Sequence, residues 1–188
     1  LPKTHAAFLV GVLAIIGTPG LSGFFSKDEI LWHAFLVSPV LWAIGVLAAG
    51  LTAFYMVRLY CLTFLGENRS DDHTKEHLHE TPATMWGPLF VLAALSISVG
   101  WLGIPAVLGG DNFLHHYFEP IVQVPAQARE YWAFLSAPHS HNQELLVMSA
   151  SVLVAAIAAI SAFILYRKGP SVVAANYARD FPRTFKLL

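Results

Sequence analysis

Charge and cysteine are both scarce in this sequence of 188 residues. Acidic and basic residues make up 12% of it, whereas soluble domains average about 25%. The single cysteine, Cys61, excludes an internal disulfide framework and a cluster of thiolate metal ligands. The net charge of −1 indicates neither a nucleic acid nor an acidic partner. The sequence also has no nucleotide-binding loop and no serine or cysteine nucleophile arrangement, so it predicts no nucleotide or covalent chemistry.

Long apolar runs are present instead. Hydrophobic residues account for 56% of the sequence and the mean hydropathy is +0.58, values that predict an integral membrane protein. Because a helix needs about 20 residues to cross the hydrocarbon core, the runs predict an all-α, polytopic membrane helix bundle. Its spans are expected at about residues 4–37, with a break in this first span, and at 40–65, 85–108 and 145–166.

Residues 1–188 are expected to form a single transmembrane domain. The spans are joined by a polar loop (residues 66–84) and by an aromatic-rich connection (residues 109–144) that suits a membrane interface. A basic tail (residues 167–188) follows them. The chain begins Leu1-Pro2-Lys3, and we expect it to be a fragment of a longer polytopic protein.

The placement of lysine and arginine predicts the orientation. Four spans put the N-terminus, the polar loop and the tail on one side of the membrane, and Arg58 can snorkel towards that side from the second span. The opposite side then holds only Arg129, and Lys27 is the one basic residue left over. By the positive-inside rule, the basic side is cytoplasmic or matrix.

The first span is interrupted near its middle. Proline removes a backbone donor and glycine adds conformational freedom, so residues 17–23 (GTPGLSG) can hardly remain a regular helix. Half-helices that break inside the bilayer expose backbone to a buried cavity, and transporters build ion sites in this way. We therefore expect a helix break at Gly17, Pro19, Gly20 and Gly23.

Directly after the break, Lys27-Asp28-Glu29 interrupts the apolar run. Ionisable residues inside a span are costly and rare, so this triplet is a candidate proton or ion pathway. A lysine whose charge is opposed by burial and favoured by a nearby acid can take up and release protons. In the alternative, residues 6–25 form a complete crossing and the triplet lies in water beyond it. The apolar sequence of residues 30–37 argues against that alternative.

The neighbours of Lys27 have separate expected roles. Asp28 points about 100° away from Lys27 on a helix, so we expect Asp28 to pair with another helix or subunit. Glu29 and His33 are four residues apart and share a face. His33 then either extends a polar path or is a single polar residue packed near the interface.

The polar loop places His73 and His77 at helical spacing, which invites a metal-site interpretation. Without cysteines or a second pair of ligands, a solvated and charged loop explains these residues better.

Two stretches resemble a known family. Residues 18–31 (TPGLSGFFSKDEIL) resemble the broken-helix motif of the antiporter-like subunit L family of bacterial NADH-quinone oxidoreductase, respiratory complex I. Residues 51–66 (LTAFYMVRLYCLTFLG) strengthen the resemblance, and the rest of the chain fits only in layout. The resemblance covers the region from the twelfth to the fifteenth transmembrane helix of that subunit.

The resemblance implies a proton-translocating subunit that moves protons through a buried lysine relay, coupled to quinone reduction elsewhere in the complex. Lys27 would be the terminal lysine of the proton channel, with Asp28 as its charged neighbour. No cofactor is expected in this chain, because flavin, iron–sulfur clusters and quinone are expected on other subunits. The implied partners are other membrane subunits, the lipid bilayer and protons. The implied location is the bacterial inner membrane, with the basic loops and tail in the cytoplasm.

Two other interpretations remain open. The large subunit of a multi-subunit cation/proton antiporter, or of a membrane-bound hydrogenase, shares the same broken helix. In a purely structural interpretation the chain is a membrane scaffold, and the charge at Lys27 is dispensable.

Overall fold

The computed structural model describes residues 1–68, 70–77, 79–105, 108–110 and 140–170, and single residues at 113, 117, 134 and 176. All regular structure in this part of the chain is helical. The elements are α1 (Pro2–Ile16), α2 (Ser22–Val37), α3 (Pro39–Phe64), α4 (Asp72–Glu76), α5 (Ala83–Ser98) with a following 3₁₀ turn (Val99–Gly103), and α6 (His141–Tyr166). The predicted all-α membrane bundle is thereby confirmed.

Three helical segments are long and apolar enough to cross a membrane: Pro39–Phe64, Ala83–Gly103 and His141–Tyr166. The helical segment of the third predicted span ends at Gly103, before the predicted end of the span at about residue 108. Pro105 explains this end, since a proline forces the preceding residue away from helical geometry, and Ile104 is extended. The last helix begins at His141, one turn earlier than predicted. Most of the connection and of the basic tail lies outside the described residues.

The first predicted span consists of two helices. α1 has 15 residues and α2 has 16, and residues 17–21 separate them. Neither helix alone has the length of about 20 residues that a full crossing needs. That the two together cross a membrane stays a prediction. Gly23 was expected in the irregular segment but lies in α2, because the amide of Phe24 already donates to the carbonyl of Leu21.

One end of the bundle collects four helix termini. His5 at the start of α1 stacks on Tyr60 and Phe64 at the end of α3. The ammonium of Lys3 lies 4.2 Å from the ring centroid of Trp86 at the start of α5. A Cβ added to Gly66, just after α3, would lie 3.7 Å from the backbone that follows α6.

We call this end, which holds the N-termini of α1 and α5 and the C-termini of α3 and α6, the basic end. The N-terminus, the polar loop and the start of the tail therefore lie together, as the four-span interpretation requires. Which side of a membrane the basic end faces stays a prediction.

The core is thin and lies between α1, α3 and α6. Val12, Val57, Cys61 and Ala162 are buried together, and partly buried aromatic residues such as Phe54 pack around them. Outward-facing apolar residues are largely exposed, including Leu47 at 63% and Ile157 at 66%. Lipid tails are as apolar as these side chains, so such faces suit a bilayer or neighbouring membrane helices.

Candidate functional site

The C-terminus of α1 ends in a Schellman motif. Gly17 has φ +82°, a left-handed conformation that glycine adopts without steric cost. The Gly17 amide donates to the carbonyl of Ala14 and the Thr18 amide donates to the carbonyl of Leu13, both at 3.1 Å. A helix leaves its last four carbonyls without intrahelical donors. The motif therefore satisfies two of them and leaves the carbonyls of Ile15 and Ile16.

A type II turn follows the motif. The Leu21 amide donates to the Thr18 carbonyl at 3.1 Å, which encloses Pro19 and Gly20 as the central residues. Gly20 has φ +91°, as the second central position of this turn requires. The chain reverses its local direction here and begins α2 at Ser22. The break is thus built from local signals: a left-handed glycine and a proline–glycine turn.

Lys27 donates to the two carbonyls that the Schellman motif leaves. Its Nζ lies 3.1 Å from the carbonyl oxygen of Ile15 and 3.2 Å from that of Ile16. A cation at a helix C-terminus is also favoured by the helix dipole. The sequence analysis named no hydrogen-bond partner for Lys27, and the structure places backbone carbonyls there.

Glycine at position 23 makes this contact geometrically accessible. A Cβ at Gly23 would overlap the backbone carbonyl of Ala14, so the first turn of α2 lies directly on the last turn of α1. Lys27 follows Gly23 by four residues and therefore lies on the same face of α2. The same close approach also brings the Lys27 side chain over Gly17, where an added Cβ would lie 3.5 Å from Nζ.

Two contacts with α3 bracket the break. His5 faces Tyr60 and Phe64 near the end of α3, whereas Leu31 in α2 lies against Gly45 in its first half. α3 has 26 residues and is about 39 Å long at about 1.5 Å per residue. Lys27 thus lies between these two levels of α3, and whether it lies inside the membrane or in water at the end of a crossing stays a prediction.

Asp28 is buried, with 7% of its surface exposed. Among the described residues its Oδ2 atom has no hydrogen-bond partner. A buried carboxylate oxygen without a donor is costly, so each such atom requires an explanation. Lys27 is directed to α1 instead, and the pairing of Asp28 with another helix or subunit stays a prediction.

Glu29 and His33 are four residues apart in α2. The Nδ1 atom of the His33 ring lies 2.9 Å from the backbone carbonyl oxygen of Glu29. A carbonyl only accepts, so Nδ1 carries the proton and Nε2 remains for another partner. His33 lies six residues beyond Lys27 in α2, and its role in a polar path stays a prediction.

Two polar contacts at the basic end escaped the sequence analysis. His5 Nε2 lies 2.7 Å from the hydroxyl of Tyr60. The Glu80 carboxylate accepts from the amides of Lys3 and Thr4, at 3.0 and 3.3 Å, and from the Thr4 hydroxyl at 2.6 Å. The Thr4 hydroxyl is the main reason that the pKa of Glu80 lies below its usual value. Glu80 thus caps the N-terminus of α1 from the polar loop, and no local sequence signal indicates this pairing.

The polar loop offers little to a metal ion. His73 and His77 do come together, with ring centroids 4.8 Å apart, and the nearby Lys75 pairs with Asp72 at 3.0 Å. Within the described part of the chain, no group of three or more histidine, cysteine or acidic residues could hold a metal ion.

Comparisons with known proteins bear on this arrangement. Residues 1–52, which include α1, the break, α2 and half of α3, match the family described as "NADH:quinone oxidoreductase/Mrp antiporter, TM". The chain is 38% identical over 206 residues to NAD(P)H-quinone oxidoreductase chain 5 of Picosynechococcus sp., covering 100% of the chain and 29% of that relative. It is 36% identical over 174 residues to the chloroplastic subunit 5 of Mesostigma viride, covering 89% of the chain and 24% of the relative.

A bacterial relative that is named subunit L also matches. The chain is 43% identical over 126 residues to NADH-quinone oxidoreductase subunit L of Mycobacterium tuberculosis, covering 65% of the chain and 19% of that protein. The chain thus spans less than a third of the length of these relatives.

Fold and site together define an all-helical, multi-pass membrane protein with a lysine held at a helix break. The comparisons then confirm the resemblance that the two sequence stretches suggested: the chain is similar to part of an antiporter-like membrane subunit of NADH-quinone oxidoreductase.

Proposed function

We propose that the chain is part of a proton-translocating subunit of an NADH-quinone oxidoreductase complex, and that Lys27 carries the proton. The observation that carries the proposal is the position of the Lys27 ammonium, which lies at a helix break on two backbone carbonyls. The similarity of residues 1–52 to an oxidoreductase and antiporter family supports the class of activity.

The chemistry of the site suits a proton carrier. A protonated lysine has three donors, and the carbonyls of Ile15 and Ile16 occupy two of them. A backbone carbonyl accepts a hydrogen bond but is far too weak a base to take the proton. The proton must therefore leave through the third N–H, to water or to a titratable group, and the neutral amine can later regain one from the opposite direction.

Asp28 contributes charge and direction in this proposal. Its buried Oδ2 has no donor among the described residues, so a cationic or protonated group on a neighbouring helix is its expected partner. Pairing at Asp28 changes the electrostatic field at Lys27, since adjacent residues in a bundle interior interact strongly. Glu29 and His33 would continue the polar path towards the end of α2.

The wider role follows from the relatives. Their names describe subunits of an enzyme complex, so we propose other membrane subunits of such a complex as partners, with no nucleic acid involved. This chain would perform no redox chemistry itself, and flavin, iron–sulfur clusters and quinone would be held by other subunits. We propose a multi-pass location in a bacterial inner membrane with the basic end cytoplasmic; some relatives are chloroplastic.

A second candidate is supported by the same family description, which also names an antiporter. In that case the break would serve exchange of a cation for a proton in a multi-subunit antiporter or a related hydrogenase. Sodium dependence separates the two: proton movement driven by quinone reduction without sodium favours the oxidoreductase subunit.

The test is proton pumping by the intact complex in sealed vesicles, with Lys27→Ala in the full-length subunit. We expect the complex to assemble and pumping to fall strongly. Asp28→Asn should have a milder effect because it removes a neighbouring charge and keeps the carrier. Normal pumping by Lys27→Ala would exclude the carrier role and favour the scaffold interpretation.

A further inference from the structure

The C-termini of α3 and α6 form a basic patch that the proposed proton path does not use. We define this patch as Arg58, Tyr166, Arg167 and Lys168. The guanidinium of Arg58 lies 5.3 Å from the ring centroid of Tyr166, a cation–π contact between the two helices. The two basic residues that follow Tyr166 are exposed. The packing of Gly66 near the backbone of Lys168 and Gly169 holds the two helix ends together.

The depth of Arg58 matches the phosphate region of a bilayer. α3 has 26 residues, so it is about 39 Å long and exceeds a hydrocarbon core of about 30 Å. A centred helix therefore extends about 4–5 Å beyond the core at each end. Arg58 is six residues, or about 9 Å, before the last residue of α3. Its Cα thus lies just inside the hydrocarbon boundary, and its long side chain reaches the headgroups.

The cations of the patch have no acidic partner within the described residues. Lys75 and Asp72 form an ion pair in the polar loop, outside the patch. Glu67 is the acid nearest to the patch in sequence and is exposed, without an ion pair to it. An arginine at this depth carries five N–H donors, and the described contact of Arg58 is with an aromatic face. Among the described residues its donors therefore lack the oxygen acceptors that an arginine at a membrane boundary normally finds.

We propose that the basic patch binds the phosphate of an anionic phospholipid of the phosphatidylglycerol type. Guanidinium matches phosphate geometry with paired hydrogen bonds, and basic pockets between helix ends are suited to anionic headgroups. Tyr166 fixes the orientation of Arg58 at the interface. Exposed apolar residues within one turn of the patch, Leu59 at 46% and Phe163 at 42%, provide a surface for the acyl chains. This inference does not depend on the role of Lys27.

The test is native mass spectrometry of the intact complex after incubation with phosphatidylglycerol, phosphatidylcholine or inorganic phosphate. Three forms of the full-length subunit are compared: wild type, Arg58→Gln, and Arg58→Gln combined with Arg167→Gln and Lys168→Gln. Lys75→Gln is the matched control, because it removes a basic residue of the same end outside the patch. Arg58→Lys keeps the positive charge at this position. It therefore shows whether lipid binding is lost because the charge is removed or because the variant fails to fold.

We expect phosphatidylglycerol to be retained by the wild type and by Lys75→Gln. Each removed charge should weaken binding about fivefold, and the triple variant should lose about a hundredfold. Arg58→Lys should retain more lipid than Arg58→Gln. Equal retention of phosphatidylcholine, equal retention by the triple variant, or binding of inorganic phosphate that replaces the lipid would each overturn the proposal.

Discussion

Replacement of Gly23 by alanine should disturb the site without touching Lys27 itself. A Cβ at this position overlaps the backbone carbonyl of Ala14. A backbone atom cannot rotate away as the end of a flexible side chain can, so α2 must shift away from α1. Overpacking of this kind costs about 1–3 kcal/mol, and more where the neighbour is rigid. The shift also draws Nζ of Lys27 away from the carbonyls of Ile15 and Ile16.

Two other glycines provide matched comparisons. Gly17→Ala places alanine at φ +82°, and its Cβ would make only ordinary contacts, at 3.5 Å from Lys27. Its expected cost is the left-handed conformation alone, about 1–2 kcal/mol. Gly11 lies in α1 with nothing within 4 Å of an added Cβ. Gly11→Ala should therefore stabilise the protein by about 0.5–1 kcal/mol, because alanine is the better helix former.

The assay is denaturant unfolding of the full-length protein in detergent micelles, combined with proton pumping by the reconstituted complex. The free energy of unfolding should rise for Gly11→Ala, fall for Gly17→Ala and fall most for Gly23→Ala. Pumping should be lost most in Gly23→Ala, although its lysine is intact. If Gly23→Ala is as stable as Gly17→Ala and pumps normally, the close contact between α1 and α2 does not position the lysine.

Three further predictions concern the basic end and the topology. Tyr60→Phe removes the 2.7 Å hydrogen bond to His5 and should cost about 0.5–1.5 kcal/mol of unfolding free energy, with no further loss when His5 is also replaced by phenylalanine. Glu80→Gln should speed protease cleavage of the polar loop. The pKa of Glu80 is lowered in the folded protein. The protection of the wild-type loop should therefore persist above the ordinary glutamate pKa and disappear as the pH falls through the lowered pKa. Cysteines introduced at Lys75 and at Asn142 should label from opposite faces of the membrane, and labelling from one face would contradict the bundle topology.

The helix break was predictable because its causes are local. Gly17, Pro19 and Gly20 favour a left-handed helix end and a type II turn through local geometry. The sequence analysis indicated the loss of regular helix there, although not the type of turn. The extent of the break was overestimated at Gly23, because a glycine can also mark close packing inside a helix. Only the tertiary contact with Ala14 separates these two roles.

The partners of the site residues were not predictable in the same way. Lys27 binds carbonyls 11 and 12 residues earlier in the chain, an arrangement that requires α2 to lie against the end of α1. Glu80 reaches the start of α1 across 76 and 77 residues. It lies in a polar loop where nothing distinguishes it from other exposed acids. Contacts of this separation depend on packing that no local pattern encodes.

The central claim is that Lys27 must release its proton, and not only anchor α1. Lys27→Arg tests it most directly, because guanidinium can still donate to the carbonyls of Ile15 and Ile16 but does not give up its proton. The measurement is the proton gradient formed by the intact complex in sealed vesicles, beside the thermal stability of the same preparation. We predict nearly unchanged stability and pumping lowered about tenfold or more. Full pumping by Lys27→Arg would contradict the claim and reduce Lys27 to a structural cap.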